Sequence, residues 1–371
     1  MRSLLTGLVG SMLACSGEGQ VYHETLPQPA AVDDLRSVSE QRTLDLESGL
    51  IRWQFEVGTL TKSFALYIEG ATGAEYLIDE LEGPDGVLVR SRASSDEAAS
   101  GLGAAAAPFF SANRSVGDHG GASLLVPNDP RLKVTPGTWS ARLRSTRTEP
   151  HSVRLTRIEQ HASARPAAVR IPLNVHLSGA GGITRDNAQT HPRLRRAMQR
   201  IQSIFSPANI ELSPINYWEL DEGFQVLEDV TLRDDQSLEM LQSSSTSDGI
   251  NLFLIERFEP ADDLLGTVGG VSAAIPGDPR AGERFAGVVV ATSFSDDTPE
   301  DDLLGLTAAH EIGHFLGLFH TSEAAGFEDP LEDTEGATED NLMHHLSRSG
   351  RDQLTEHQGM VLRAHPAGVL P

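Results

Sequence analysis

The stretch "HEIGHFLGLFH", residues 310 to 320, sets three histidines, a glutamate and a glycine at spacings that suit a metal ion. His310 and His314 lie four apart, which on a helix puts them one turn apart on the same face. Glu311 falls about 60° around that helix from His314, close enough to reach a water on a metal without becoming a ligand. His320 breaks the helical spacing. On a continuing helix it would sit about 9 Å further along the axis, beyond the ~2.0–2.1 Å reach of a zinc–nitrogen bond. A three-histidine site therefore requires the helix to end and the chain to double back, and Gly317 stands where positive φ would permit it. Three nitrogens with a fourth position open are the donor set of a catalytic zinc, with Glu311 as general base. The bland alternative is histidines that bind nothing, but the added glycine and third histidine make chance production of the whole pattern rare.

Such a site needs a helix that buries one face and offers the histidines from the other. Thr298, Pro299 and Asp301 supply an N-cap, a first-turn proline and a capping-box acid for it. Leu304, Ala308, Ile312 and Phe315 would pack on a sheet. Upstream, "VRIPLNVHL", "INLFLIERF" and "GVVVATSF" read as strands, and "GTVGGVSAAIPG" as a Gly-rich edge strand. "HPRLRRAMQRIQSIFS" is an amphipathic helix with Leu194, Met198, Ile201 and Phe205 on one side. This alternation predicts an α/β domain over residues 163–371. Residues 47–162 have a different grammar. Trp53, Phe55 and Val57 share a face, as do Phe64, Leu66 and Ile68, and Trp139, Ala141 and Leu143, with turns at "EGPDG" and "TPGT". These predict an all-β sandwich, interrupted by a long loop at "SSDEAASGLGAAAAPFF". Its role is open among spacer, binding module and inhibitory pro-region.

With these residues in view, the segment from 166 to 371 resembles the metzincin metallopeptidases, whose zinc signature is HExxHxxGxxH. That family also has a methionine turn beneath the metal, and "DNLMHH" provides it with Met343. "DPLEDT", Asp329 to Thr334, followed by "NLM", is similar to the pappalysin group. The resemblance implies a twisted mixed sheet with an active-site helix, and a zinc endopeptidase acting on protein or peptide substrates. The Gly-rich strand would pair with the extended substrate. The resemblance also implies calcium near Asp329, Asp333 and Thr334; the plain reading of that acidic stretch is a solvated face. Many relatives place a tyrosine two residues after the methionine as an oxyanion donor. Here His345 stands there, either as that donor or as a surface histidine.

The 371-residue chain carries a net charge of −24, which argues against nucleic-acid binding. Lysine occurs only at Lys62 and Lys133. Arg2, the apolar "LLTGLVGSMLA" and Cys15 read as an export signal over residues 1–15, similar to a bacterial lipoprotein signal. Cys15 is then either lipidated, the sole membrane attachment expected, or removed with the signal on secretion. Being the single cysteine, it leaves the rest of the chain without a disulfide and without a thiolate to hold a zinc site latent. Residues 16–46 read as a linker. His23, His119, His151, His176 and His191 are scattered and read as structural. A competing class is a surface binding protein that works through the sandwich and keeps the zinc site as a relic; the retained Glu311 argues against it.

Overall fold

The computed structural model describes residues 21–24, 36–44, 50–71, 73–90, 120–147, 149–232, 234–244, 248–259, 269–293, 303–321, 329, 331–334, 339–346 and 350–369. The described residues of its first half form strands alone: β1 (Val21–Glu24), β2 (Arg36–Thr43), β3 (Leu50–Val57), β4 (Thr61–Glu69), β5 (Tyr76–Gly83), β6 (Gly86–Arg90), β7 (Gly121–Val126), β8 (Gly137–Ser145) and β9 (Ser152–His161). They form two sheets, in the orders β1-β3-β8-β5-β6 and β2-β9-β4-β7. The alternating aromatic and aliphatic residues explain why. Trp53, Phe55 and Val57 meet Phe64, Leu66, Ile68, Trp139, Ala141 and Leu143 in one apolar cluster drawn from both sheets. Phe64 presents its edge to Trp139 and to Phe55, at 5.1 and 5.6 Å between centroids.

Two strands fall within residues 16–46. β1 adds in parallel to β3, and β2 pairs antiparallel with β9 along its whole length. Each is the terminal strand of its sheet, held by a backbone ladder that any residue except proline can join, so no apolar run announces it. Leu44, just after β2, enters the core. The export signal with Cys15, and the loop expected at "SSDEAASGLGAAAAPFF", lie outside the described residues.

The second half alternates strands and helices: β10 (Val169–Leu177), α1 (Pro192–Phe205), β11 (Ile210–Glu219), β12 (Val226–Leu227), α2 (Asp235–Gln242), β13 (Ile250–Ile255), β14 (Arg257–Phe258), β15 (Gly270–Ser272), β16 (Val288–Ala291), α3 (Leu303–Phe315) and α4 (Glu356–Ala364). Five of the strands form a mixed sheet in the order β11-β10-β13-β16-β15, parallel except for β15, and β12 and β14 form a small separate ladder. Both faces of the main sheet are covered, which is why its strands read as unbroken apolar runs. Leu252, Leu254, Val288 and Val290 join a cluster with α1 and α3, whereas Phe253, Ile255, Val289 and Ala291 turn to the opposite face with Met240 and Leu241 of α2. Gly305 lets α3 approach α1: a Cβ there would lie 2.8 Å from the Ala197 carbonyl oxygen.

The β2-β9-β4-β7 sheet is also buried on both faces. One face is the aromatic core just described; Ala65, Tyr67, Leu125 and Ile158 point the other way and belong to the cluster of α1, α3 and β10. Gly121 keeps that contact close, since a Cβ would fall 2.1 Å from Cζ of Phe285. The Tyr67 hydroxyl donates to the Gly277 carbonyl at 2.5 Å, and the Gln160 amide donates to the carbonyls of Gly368, Arg363 and His365. Among the described residues no helix is long and apolar enough to cross a membrane. Because one apolar cluster spans both halves, calorimetry of the full chain should show a single cooperative transition. Two resolved transitions would mean that the halves unfold independently.

Candidate metal centre

α3 supplies His310, Glu311 and His314, and all three are buried. Its end is built by hydrogen bonds that require Gly317. The Leu318 N–H donates to the Gly313 carbonyl at 3.0 Å and the Gly317 N–H to the His314 carbonyl at 2.9 Å, while Gly317 takes φ 104°. This is the Schellman closure of a helix by a left-handed residue. The chain reverses there and returns His320 to the helix.

Each helical imidazole is oriented through its far nitrogen. His310 Nδ1 lies 2.7 Å from the Leu342 carbonyl and His314 Nδ1 lies 2.8 Å from the Leu318 carbonyl. A carbonyl only accepts, so each Nδ1 carries the proton and each Nε2 keeps its lone pair. Those Nε2 atoms sit 3.1 and 3.0 Å from Nε2 of His320. Ligand atoms of a tetrahedral site with bonds of ~2.0–2.1 Å lie about 3.3–3.4 Å apart, so the three rings fit one metal ion within a few tenths of an ångström. Among the described residues these three histidines form the grouping of potential metal donors.

Met343 is fully buried against α3; a Cβ on Gly313 would come within 2.6 Å of its Sδ. The Asn341 side chain accepts from the Met343 N–H at 2.8 Å, and the Thr321 N–H donates to the Met343 carbonyl at 3.0 Å. The turn at 341–343 therefore touches the motif at both ends, through His310 and beside His320. Asn341 is locked by two hydrogen bonds with Gln358, the capping-box residue of α4. A short polar residue two before a methionine was the available sequence signal for this Asx-type turn.

β15 runs beside Glu311. A Cβ on Gly270 would lie 2.7 Å from Glu311 Cγ, and the Ser272 N–H donates to the carboxylate. Burial pushes the Glu311 carboxyl up to about 8, with the Ser272 hydrogen bond acting the other way. A bound cation would also favour the charged form.

No protein-family description matches the chain, and no curated protein matches it. Among solved structures, the crystal structure of metalloproteinase-II from Bacteroides fragilis aligns with a TM-score of 0.34 at 13% identity, over 56% of this chain and 62% of that one. The chain thus spans less than two thirds of that protein's length, and the site is read from its own geometry.

The remaining predicted residues are less unified. His345 is exposed and stacks on His344, with centroids 4.5 Å apart. Thr334 donates its hydroxyl to Asp329, but Asp333 faces elsewhere. Its two oxygens accept from the Thr355 hydroxyl and the His357 N–H, both at 2.9 Å, at the start of α4 where a carboxylate is favoured. Asp333 thus sits at the first turn of α4, while Asp329 and Thr334 bond to each other. Thr298, Pro299 and Asp301 lie outside the described residues, as does His119. His176 is buried under Phe253 and bonded to Asn251, with burial lowering its pKa to about 4. Gly317→Ala should weaken zinc binding by about tenfold, since left-handed backbone costs a side chain ~1–2 kcal/mol. Equilibrium competition against a zinc-binding dye would measure it, and unchanged affinity would show that the reversal does not depend on glycine.

Proposed function

We propose that this protein is a zinc-dependent endopeptidase of metzincin type. The observation that carries the reading is the convergence of the His310, His314 and His320 Nε2 atoms, with the Glu311 carboxylate held beside them on the same helix. Imidazole nitrogens suit zinc among the divalent metals, and the three rings would hold it. A zinc ion bound there supplies Lewis acidity, making water acidic enough to ionise near neutral pH and polarising a carbonyl oxygen. The pappalysin refinement rests on "DPLEDT" and "NLM" in the sequence.

The chain's own residues account for the rest of the reaction. Glu311 in its carboxylate form takes a proton from the attacking water, and the resulting carboxylic acid returns it to the departing amine. The Ser272 N–H keeps the carboxylate aimed while it does so. β15 is the last strand of the described sheet, and it lies directly against Glu311, so an extended peptide added to that edge would run past the base. Gly270 is the residue that permits this closeness. The signal-like residues 1–15 support extracellular or cell-surface proteins as the substrates.

Three outcomes test the proposal. A mixed peptide library read by mass spectrometry should gain new termini with the wild-type protein, lose them after treatment with a zinc chelator, and regain them with added zinc. Glu311→Gln should bind zinc with near wild-type affinity and lose cleavage by roughly 10²–10⁴-fold. Full cleavage by that variant would remove Glu311 from the chemistry. Gly270→Val should bind zinc and cleave slowly, because its side chain displaces Glu311; unaltered turnover would separate β15 from the site.

A further inference from the structure

The strands of the first half end against the one segment that brings His320 home. Leu125, near the end of β7, lies over Gly317: a Cβ built on that glycine would fall 2.6 Å from Leu125 Cδ2. Leu125 is 2% exposed and pairs across the ladder with Ala65 of β4, which faces the same way. Two residues along β4, Tyr67 donates to the Gly277 carbonyl, and the Gly277 N–H in turn donates to the Phe315 carbonyl in the last turn of α3, at 2.8 Å. The Phe315 ring packs on Gly277 so closely that a Cβ there would meet it at 2.0 Å. Arg131, beyond β7, forms an ion pair with Glu332 in the segment that leads toward the Met343 turn. The contacts thus fall on the helix end, on the reversal after it, and on the run toward the methionine turn.

We infer that the two-sheet half of the chain is a wall of the metal centre, and that Leu125, with Tyr67 behind it, is a positioning residue for His320. The inference rests on the metal-site reading above. The physical reason is that a positive-φ reversal can open outward unless something fills the space on its outer side. The Leu125 methyl group fills it, at a glycine whose missing side chain leaves room for that methyl. The three-histidine geometry then depends on strands nearly two hundred residues earlier in the chain. A removable pro-region or a tethered binding module would have no reason to occupy this place, since its departure would loosen the third ligand.

The test uses full-length protein and three variants, Leu125→Ala, Leu125→Met and Leu143→Ala. Leu143 is equally buried but lies in the aromatic core of the first half. Zinc affinity is read by chelator competition, and ligand geometry by the visible absorption of the cobalt-loaded protein. Leu125→Ala should lose affinity by about 10- to 100-fold, the range for lost outer-sphere supports, and shift the cobalt bands. Leu125→Met, which keeps the volume, should restore both. Leu143→Ala should lower the melting temperature and leave affinity and spectrum unchanged. Wild-type affinity and spectrum in folded Leu125→Ala would overturn the inference while leaving the metal centre intact, and so would equal losses in Leu143→Ala. If Leu125→Ala does not fold, Tyr67→Phe carries the test: a smaller loss of affinity supports the inference and wild-type affinity overturns it. Wild-type protein that takes up neither zinc nor cobalt would overturn the metal-centre reading and this inference with it.

Discussion

The reversal at Gly317 is the constraint on which the remaining geometry rests. One left-handed residue lets the helix-terminal carbonyls of Gly313 and His314 accept hydrogen bonds and sends the chain back along α3. The same turn leaves the Leu318 carbonyl facing His314 Nδ1, so ending the helix and choosing the tautomer of His314 are a single event. His310 is oriented from a different segment of the chain. Its proton goes to Leu342, whose place is set by Asn341, Gln358 and the cap of α4. The two helical histidines are therefore oriented by two separate turns, and His320 closes the set from the far side of the reversal.

This arrangement explains why so much polar backbone lies near the site without being wasted. Buried N–H and carbonyl groups must find partners, and here the partners are the imidazoles themselves, the Asn341 amide and the Glu311 carboxylate. Glu311 is the exposed-type residue in an unusual setting. It is almost wholly buried, with Gly270 close against its side chain and one backbone N–H supporting its charge. Removing water from a carboxylate raises its affinity for a proton, which suits the general-base role proposed for it.

The two halves of the molecule are joined by a sheet buried on both faces. Alternation along β4, β7 and β9 assigns odd and even residues to different cores, so a single set of strands serves both. Polar contacts reinforce this: Arg154 bridges Glu69 and Glu283, and Asp278 is held by Arg280 beside the Tyr67 contact. The interface is an interior rather than a surface, with charges that are paired and hydrogen bonds that end on backbone carbonyls.

Much of the site was legible in the sequence because its signals are local. The interval of four between His310 and His314, the glutamate between them and the glycine before His320 each follow from helix periodicity or from the steric freedom of glycine. The apolar alternation at Trp53, Phe64 and Trp139, and the amphipathic face of α1, are equally local and met their partners in the cores. Strands β1 and β2 were not legible, because lateral pairing is recorded in backbone hydrogen bonds rather than in side-chain pattern. Nor did the sequence show that Asp333 would cap α4 instead of joining Asp329, since both outcomes use the same carboxylate. The sequence by itself determined which atoms are available to bind a metal and where the chain can reverse. Only the tertiary structure decided that Leu125 lies over Gly317, that Ser272 supports Glu311 and that Leu342 orients His310. Those contacts join residues far apart in the chain, and no local periodicity carries information about which distant surfaces fill the same space.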